Sequence, residues 1–233
     1  MTRLLSSIIL DIRLQARNGF YYAAAFVAAF WTLALSRIPP DSLVLWMPVF
    51  ILSDILINTF YFMAGLVLLE KAEGTVIAQS VTPLRPWEYL CSKLVTLGLL
   101  SVCESFVIVL LGYRAGFEPL QFVLGVLLSA VLFSLGGFLV VARYGSINEF
   151  LFPSFLFTLF FVPPFLGYFG LVGDAWMYLH PLQGPLLLTQ AAFGEIATWQ
   201  TLYAVVYPTL WIGGAFVLSR RVFQRFVTAV EGQ

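Results

Sequence analysis

Residues 175–194 read AWMYLHPLQGPLLLTQAAFG, and whether they cross a membrane decides the fold. The stretch is free of charge, and its 20 residues match the roughly 20 a helix needs to span about 30 Å of hydrocarbon. Against a crossing stand His180-Pro181 and Gly184-Pro185, with Gln183 between them. Proline removes a backbone donor, and hydrocarbon offers no water to replace it. Six other stretches are cleaner: 20–36, 43–69, 94–113, 119–142, 150–173 and 196–219, the second and third interrupted by Asp54 and Glu104. With six spans, one side of the bilayer receives the N-terminus, the 70–93 and 143–149 loops and the C-terminus. That side holds Arg3, Arg13, Arg17, Lys71, Arg85, Lys93, Arg143, Arg220, Arg221 and Arg225, against Arg37 and Arg114 opposite. The positive-inside rule then puts both termini in the cytoplasm. A seventh span would send Arg220, Arg221 and Arg225 outside. Residues 174–195 are therefore expected to form an external, partly inserted helical hairpin or re-entrant segment.

Composition agrees with an all-α integral membrane protein. Of 233 residues, 61% are hydrophobic and 10% charged, with a mean hydropathy of +0.94. A soluble domain carries about 25% charged residues, and no globule this small can hide such an apolar excess. These numbers exclude a soluble enzyme, a nucleic-acid binder and a disordered tail. The formal net charge of zero gives no bulk field for nucleic acid. Cys91 and Cys103 are too few for a disulfide framework and read as small apolar fillers. The six tryptophans fall mostly near span ends, where an indole lies half-wet. No cleavable signal is expected, because charges interrupt the first 18 residues.

Before the first span, Leu5, Ile8, Ile9 and Ile12 recur at helical spacing, with Arg3, Ser7, Asp11 and Arg13 on the remaining circumference. This pattern predicts an amphipathic helix over 1–18 lying in the headgroup plane, with Asn18-Gly19 as its turn into the membrane. The loop between spans two and three, residues 70–93, is the longest and most charged on the cytoplasmic side. Residues 75–81 have room for about two helical turns. Thr82-Pro83 stops them, and Pro86 opens a second helix into span three.

Glu70-Lys71-x-Glu73-Gly74-Thr75, then Thr82-Pro83-Leu84 and Trp87-Glu88-Tyr89-Leu90-x-Ser92-Lys93, resembles the loop signature of ABC-2-type transporter permeases. The resemblance implies a single transmembrane domain over 1–233, dimerised with a second permease subunit, alike or different. It implies a loop docked on a separate ABC ATPase subunit through Glu70, Glu73, Gly74, Thr75, Val76, Gln79, Val81, Thr82, Pro83 and Leu84. The N-terminal helix, with Arg3, Asp11, Arg13 and Arg17, would be the elbow. It further implies ATP-driven export of a hydrophobic or amphipathic drug, lipid or antibiotic across the inner (plasma) membrane.

The chain itself is not expected to be an enzyme. Its two lysines, Lys71 and Lys93, precede Ala72 and Leu94, so no phosphate loop ends in Lys-Ser/Thr; ATP and magnesium belong to the partner. One histidine, His180, forbids a two-His metal site and reads as an interfacial structural residue. No serine sits in a G-x-S-x-G elbow. Asp54 and Glu104 stand out, because a charge near the bilayer centre costs about 2.5–3.5 kcal/mol on insertion scales. They either pair between helices with groups such as Asn58, Ser101 or Ser105, or line a translocation path as Asp54, Asn58 and Glu104. Glu149, beside Arg143, reads as a surface charge. Pro153, Pro163-Pro164 and Pro208 predict kinks whose freed carbonyls need other partners. Two other function classes stay open: an ion-coupled secondary transporter using Asp54 and Glu104, and a non-transporting membrane scaffold.

Overall fold

The computed structural model describes residues 3–75, 85–113 and 116–231, and every regular element among them is helical. Helix α1 (Arg3–Arg17) meets α2 (Phe20–Leu35) at 67°. The corner is built by Gly19, whose φ of 79° is left-handed, and by the Asn18 amide, which donates to the Leu14 carbonyl at 2.9 Å. Helix α2 has only 16 residues, a rise of about 24 Å, so it is a full span only together with part of α1. Five further helices are long and apolar enough to cross: α3 (Pro40–Ala72), α4 (Pro86–Gly112), α5 (Pro119–Val141), the 22-residue Ile147–Tyr168 unit, and α9 (Thr198–Glu231).

The boundaries depart from the sequence expectation where local chemistry extends or breaks a helix. The helix expected to open at Pro86 and lead into the third span is one continuous element, α4, whose start is fixed where the Glu88 carboxylate accepts the Arg85 backbone N–H at 2.7 Å. The last span was expected over 196–219, but α9 continues through Arg220 and Arg221 to Glu231, longer than any bilayer requires. The fifth, expected as one run over 150–173, is α6 (Ile147–Leu159) and α7 (Pro163–Tyr168) separated at 160–162. Pro163 and Pro164 have no N–H for the carbonyls of Leu159 and Phe160 four residues earlier. The Leu159 carbonyl turns to the Val162 N–H at 3.2 Å, and the Phe160 carbonyl accepts from His180 Nε2 at 2.8 Å. His180 Nδ1 accepts the Leu182 N–H at 3.1 Å, which fixes the neutral tautomer. Burial lowers the His180 pKa, and the Phe160 hydrogen bond opposes that shift.

Beyond the break, 174–179 forms a 3-10 turn and α8 (Gln183–Ala191) lies buried between α5 and α9. Two close approaches hold the bundle. A Cβ on Gly184 would run into the Pro208 ring of α9, and one on Gly137 of α5 would run into the Phe60 carbonyl of α3. The second approach meets a π-helical stretch, Leu56–Tyr61, that bulges α3 toward the Gly136-Gly137 pair. Helix α5 is the centre and is mostly buried, while α9 is mostly exposed along its apolar length. Leu202, Leu210 and Trp211 of α9 and Phe152, Phe155 and Leu156 of α6 are exposed, as side chains facing lipid rather than water are.

Candidate functional site

The 70–93 segment leaves the bundle from the end of α3 and returns at the start of α4. Residues 76–84 lie outside the described residues, so the expected helix over 75–81 and the roles of Val76, Gln79, Val81, Thr82, Pro83 and Leu84 are left to the sequence. Its two roots are described, and most signature residues there have a physical task. Gly74 takes a φ of 67°, a left-handed turn that ends α3 and that side chains other than glycine rarely adopt. The Thr75 hydroxyl donates to the Glu70 carbonyl at 3.0 Å. Glu73 pairs with Arg17 of α1 at 2.7 Å on an exposed surface, a contact worth about 0–1 kcal/mol.

Lys93 is the hinge-pin of these roots. Its ammonium is wholly buried and donates to Asp11 Oδ1 at 2.8 Å and to Glu70 Oε1 at 2.5 Å. Ser92 donates its hydroxyl to Asp11 Oδ2, and Tyr89 donates its own to Glu70 Oε2, both at 2.6 Å. Gln15 donates to the Thr96 hydroxyl at 2.9 Å. The Tyr89 ring lies under the Lys93 ammonium at 4.6 Å and stacks on Phe223 of α9 at 4.5 Å. One buried cluster therefore joins α1, both roots of the loop and the last helix. The other lysine does a parallel job: Lys71 Nζ donates to the carbonyls of Val141, Ala142 and Tyr144, closing the C-terminal end of α5.

One residue of α1 departs from the amphipathic expectation. Asp11, assigned to the solvated circumference, is 4% exposed, and Gln15 is fully buried beside it. Leu5, Leu10 and Ile12 point outward instead, and Arg3 and Arg13 are exposed. The Asp11 carboxylate turns to protein because its partners, Ser92 and Lys93, are there. Spacing held a signal for this: Asp11 and Gln15 are four residues apart, hence on one face. Glu149 likewise does more than sit at the surface, since its Oε2 accepts the Gly145 N–H at 3.1 Å and its own N–H reaches the Ser146 hydroxyl.

Midway along the bundle, Asp54 and Asn58 of α3 lie close enough to Glu104 of α4 to act on it electrostatically. Asn58 donates to Asp54 Oδ1 at 3.1 Å within α3, and Ser101 donates to its own helix at the Leu97 carbonyl. Asp54 Oδ2, Asn58 Oδ1 and both Glu104 carboxylate oxygens are buried without a donor. Neither acid belongs to any ion pair among the described residues. Asn58 sits on the π-helical bulge, whose extra residue per turn re-aims side chains on α3. Glu104 lines a groove of about 600 Å³ between α2 and α4.

Comparison with known proteins follows the same lines. A family model described as the fluoroquinolones export permease protein family matches residues 2–231. Two curated relatives, the fluoroquinolones export permease protein in each of two strains of Mycobacterium tuberculosis, are 35% identical over 235 residues. Each match covers 100% of this chain and 99% of the relative.

Proposed function

Because the chain belongs to the fluoroquinolones export permease protein family, we propose that it is the membrane subunit of a drug exporter driven by ATP on a separate ABC ATPase. The observation that carries the mechanical part of this reading is the buried Asp11–Lys93–Glu70 cluster at the roots of the 70–93 loop. A loop pushed by a partner moves nothing unless its ends are fixed to the helices that must move. Here the ends are fixed to α1 and α4 by ion pairs, to α5 by Lys71, and to α9 by Tyr89 on Phe223. In this reading the loop faces the cytoplasm with both termini, residues 75–81 are the coupling helix, and Glu73 and Gly74 set its angle. Helix α1 is the elbow that passes the push to α2. The 174–195 segment caps the outer side as a re-entrant hairpin, with the freed Phe160 carbonyl as its anchor on the kinked α6. Asp54, Asn58 and Glu104 lie on the substrate path, and two copies of the permease in the inner membrane enclose it.

The test is purification of the tagged chain from its native membrane, beside Glu73→Lys and Val81→Asp variants. An ATPase subunit is expected to accompany the native chain and to be lost or uncoupled in the variants. A native chain that travels without an ATPase, or an ATPase indifferent to both changes, overturns the reading.

A further inference from the structure

The four unpaired oxygens around Glu104 point to the chemistry of what binds there. The groove between α2 and α4 is walled by Tyr21, Ala25, Ala29 and Thr32 on one side and Cys103 and Val107 on the other. Small side chains on α2 leave the space, and about 600 Å³ lies within the range of about 300–1,000 Å³ typical of small-molecule sites. Glu104 lines this groove while only 5% exposed, and both its carboxylate oxygens lack a donor. Asp54 Oδ2 and Asn58 Oδ1 add two further acceptors, and Asp54 is near enough for its charge to act on Glu104. Four buried acceptor oxygens thus lie at or behind the polar end of an apolar groove, with no donor for them among the described residues.

We propose that the α2–α4 groove with Glu104 at its foot binds amphiphiles carrying a protonated amine, which enter sideways from the lipid. This deepens the drug-permease reading and rests on it for the claim that the bound molecule is cargo. An ammonium brings two or three N–H donors and one positive charge to oxygens that have neither, and its apolar body matches the alanine-lined wall. A lipid acyl chain would fill the groove and leave every oxygen unpaired.

The experiment is equilibrium binding to the purified full chain in lipid nanodiscs, with no ATPase and no nucleotide present. The probe is the fluorescent amine monodansylcadaverine, set against its N-acetyl derivative of nearly equal size. The amine is expected to bind saturably and at least tenfold more tightly than the acetylated form. Glu104→Gln is expected to erase that difference. Ala29→Phe, which keeps every carboxylate and fills the groove from an exposed position, is expected to weaken amine binding at least tenfold. Equal binding of the two probes, or a preference that survives Glu104→Gln, overturns the proposal. Unchanged amine affinity in Ala29→Phe overturns the lateral groove. Since the assay uses no nucleotide, a failure here leaves ATP coupling standing, and a failure of ATP coupling leaves the amine preference standing.

Discussion

Two pairs of acids are buried in this bundle, and their surroundings differ in kind. At the loop end, Asp11 and Glu70 enclose Lys93, and the remaining carboxylate oxygens take hydroxyl donors from Ser92 and Tyr89. In the middle, Asp54 takes one amide donor and Glu104 none, neither is in an ion pair among the described residues, and Glu104 lines a groove. Burial alone does not mark an acid as functional. The count of donors separates a closed structural cluster from a site that lacks something.

The sharpest way to break this contrast is to remove one member of each cluster. Lys93→Met leaves two uncompensated buried carboxylates and is expected to cost about 3–5 kcal/mol. Glu104→Gln removes an acid that no donor supports, and is expected to leave stability unchanged or raised. Thermal unfolding of the solubilised protein, followed by tryptophan fluorescence, compares them directly. Equal losses in both variants would mean that the two clusters are alike.

Gly137→Ala sharpens the comparison from the other side. Its new methyl would strike the Phe60 carbonyl of the bulge that carries Asn58, a backbone contact that cannot rotate away. A loss of about 1–3 kcal/mol is expected in the same melt. Monodansylcadaverine binding should weaken with it, because the bulge sets Asn58 beside Asp54. Retained stability would show that the bulge is not held by this approach.

The smallest effect concerns His180, outside both clusters. Its folded-state pKa is lowered by burial, so the neutral ring is the form that folding favours. The stability it contributes is present above its unfolded value of about 6.5 and is lost as pH falls below that. Protonating Nδ1 would cost the Leu182 N–H its acceptor. Between pH 7 and pH 5 the melting temperature is expected to drop in the native chain, and the drop should shrink in His180→Ala. Parallel curves would remove this role.

Much of this was legible in residues and spacing. The break at 160–162 follows from Pro163-Pro164 and the turn at Gly19 from Asn18-Gly19, since both rest on covalent limits of the backbone. The start of α4 follows from Pro86 and Glu88 in the same way. The Lys93 cluster was not legible, because its members are 23 and 82 residues apart from Lys93 and only packing brings them together. The π-helical bulge was hidden as well. It needs the glycine pair of a different helix to make room, and nothing within 56–61 announces that pair. The amphipathic pattern of α1 was present, but the burial of Asp11 against protein was not. Hydrophobic periodicity shows which residues share a face, and it does not show whether lipid or protein lies against that face.

The proposal that this permease is moved by a nucleotide-burning partner is tested most directly by drug uptake into inverted membrane vesicles, with a fluoroquinolone, the class its family is named for, as the probe. The measurement is made with and without ATP, after an uncoupler has collapsed the proton gradient. Uptake that persists with the uncoupler and stops without ATP is the expected result. Uptake that vanishes with the uncoupler while ATP is plentiful would contradict the account and favour an ion-coupled carrier working through Asp54 and Glu104.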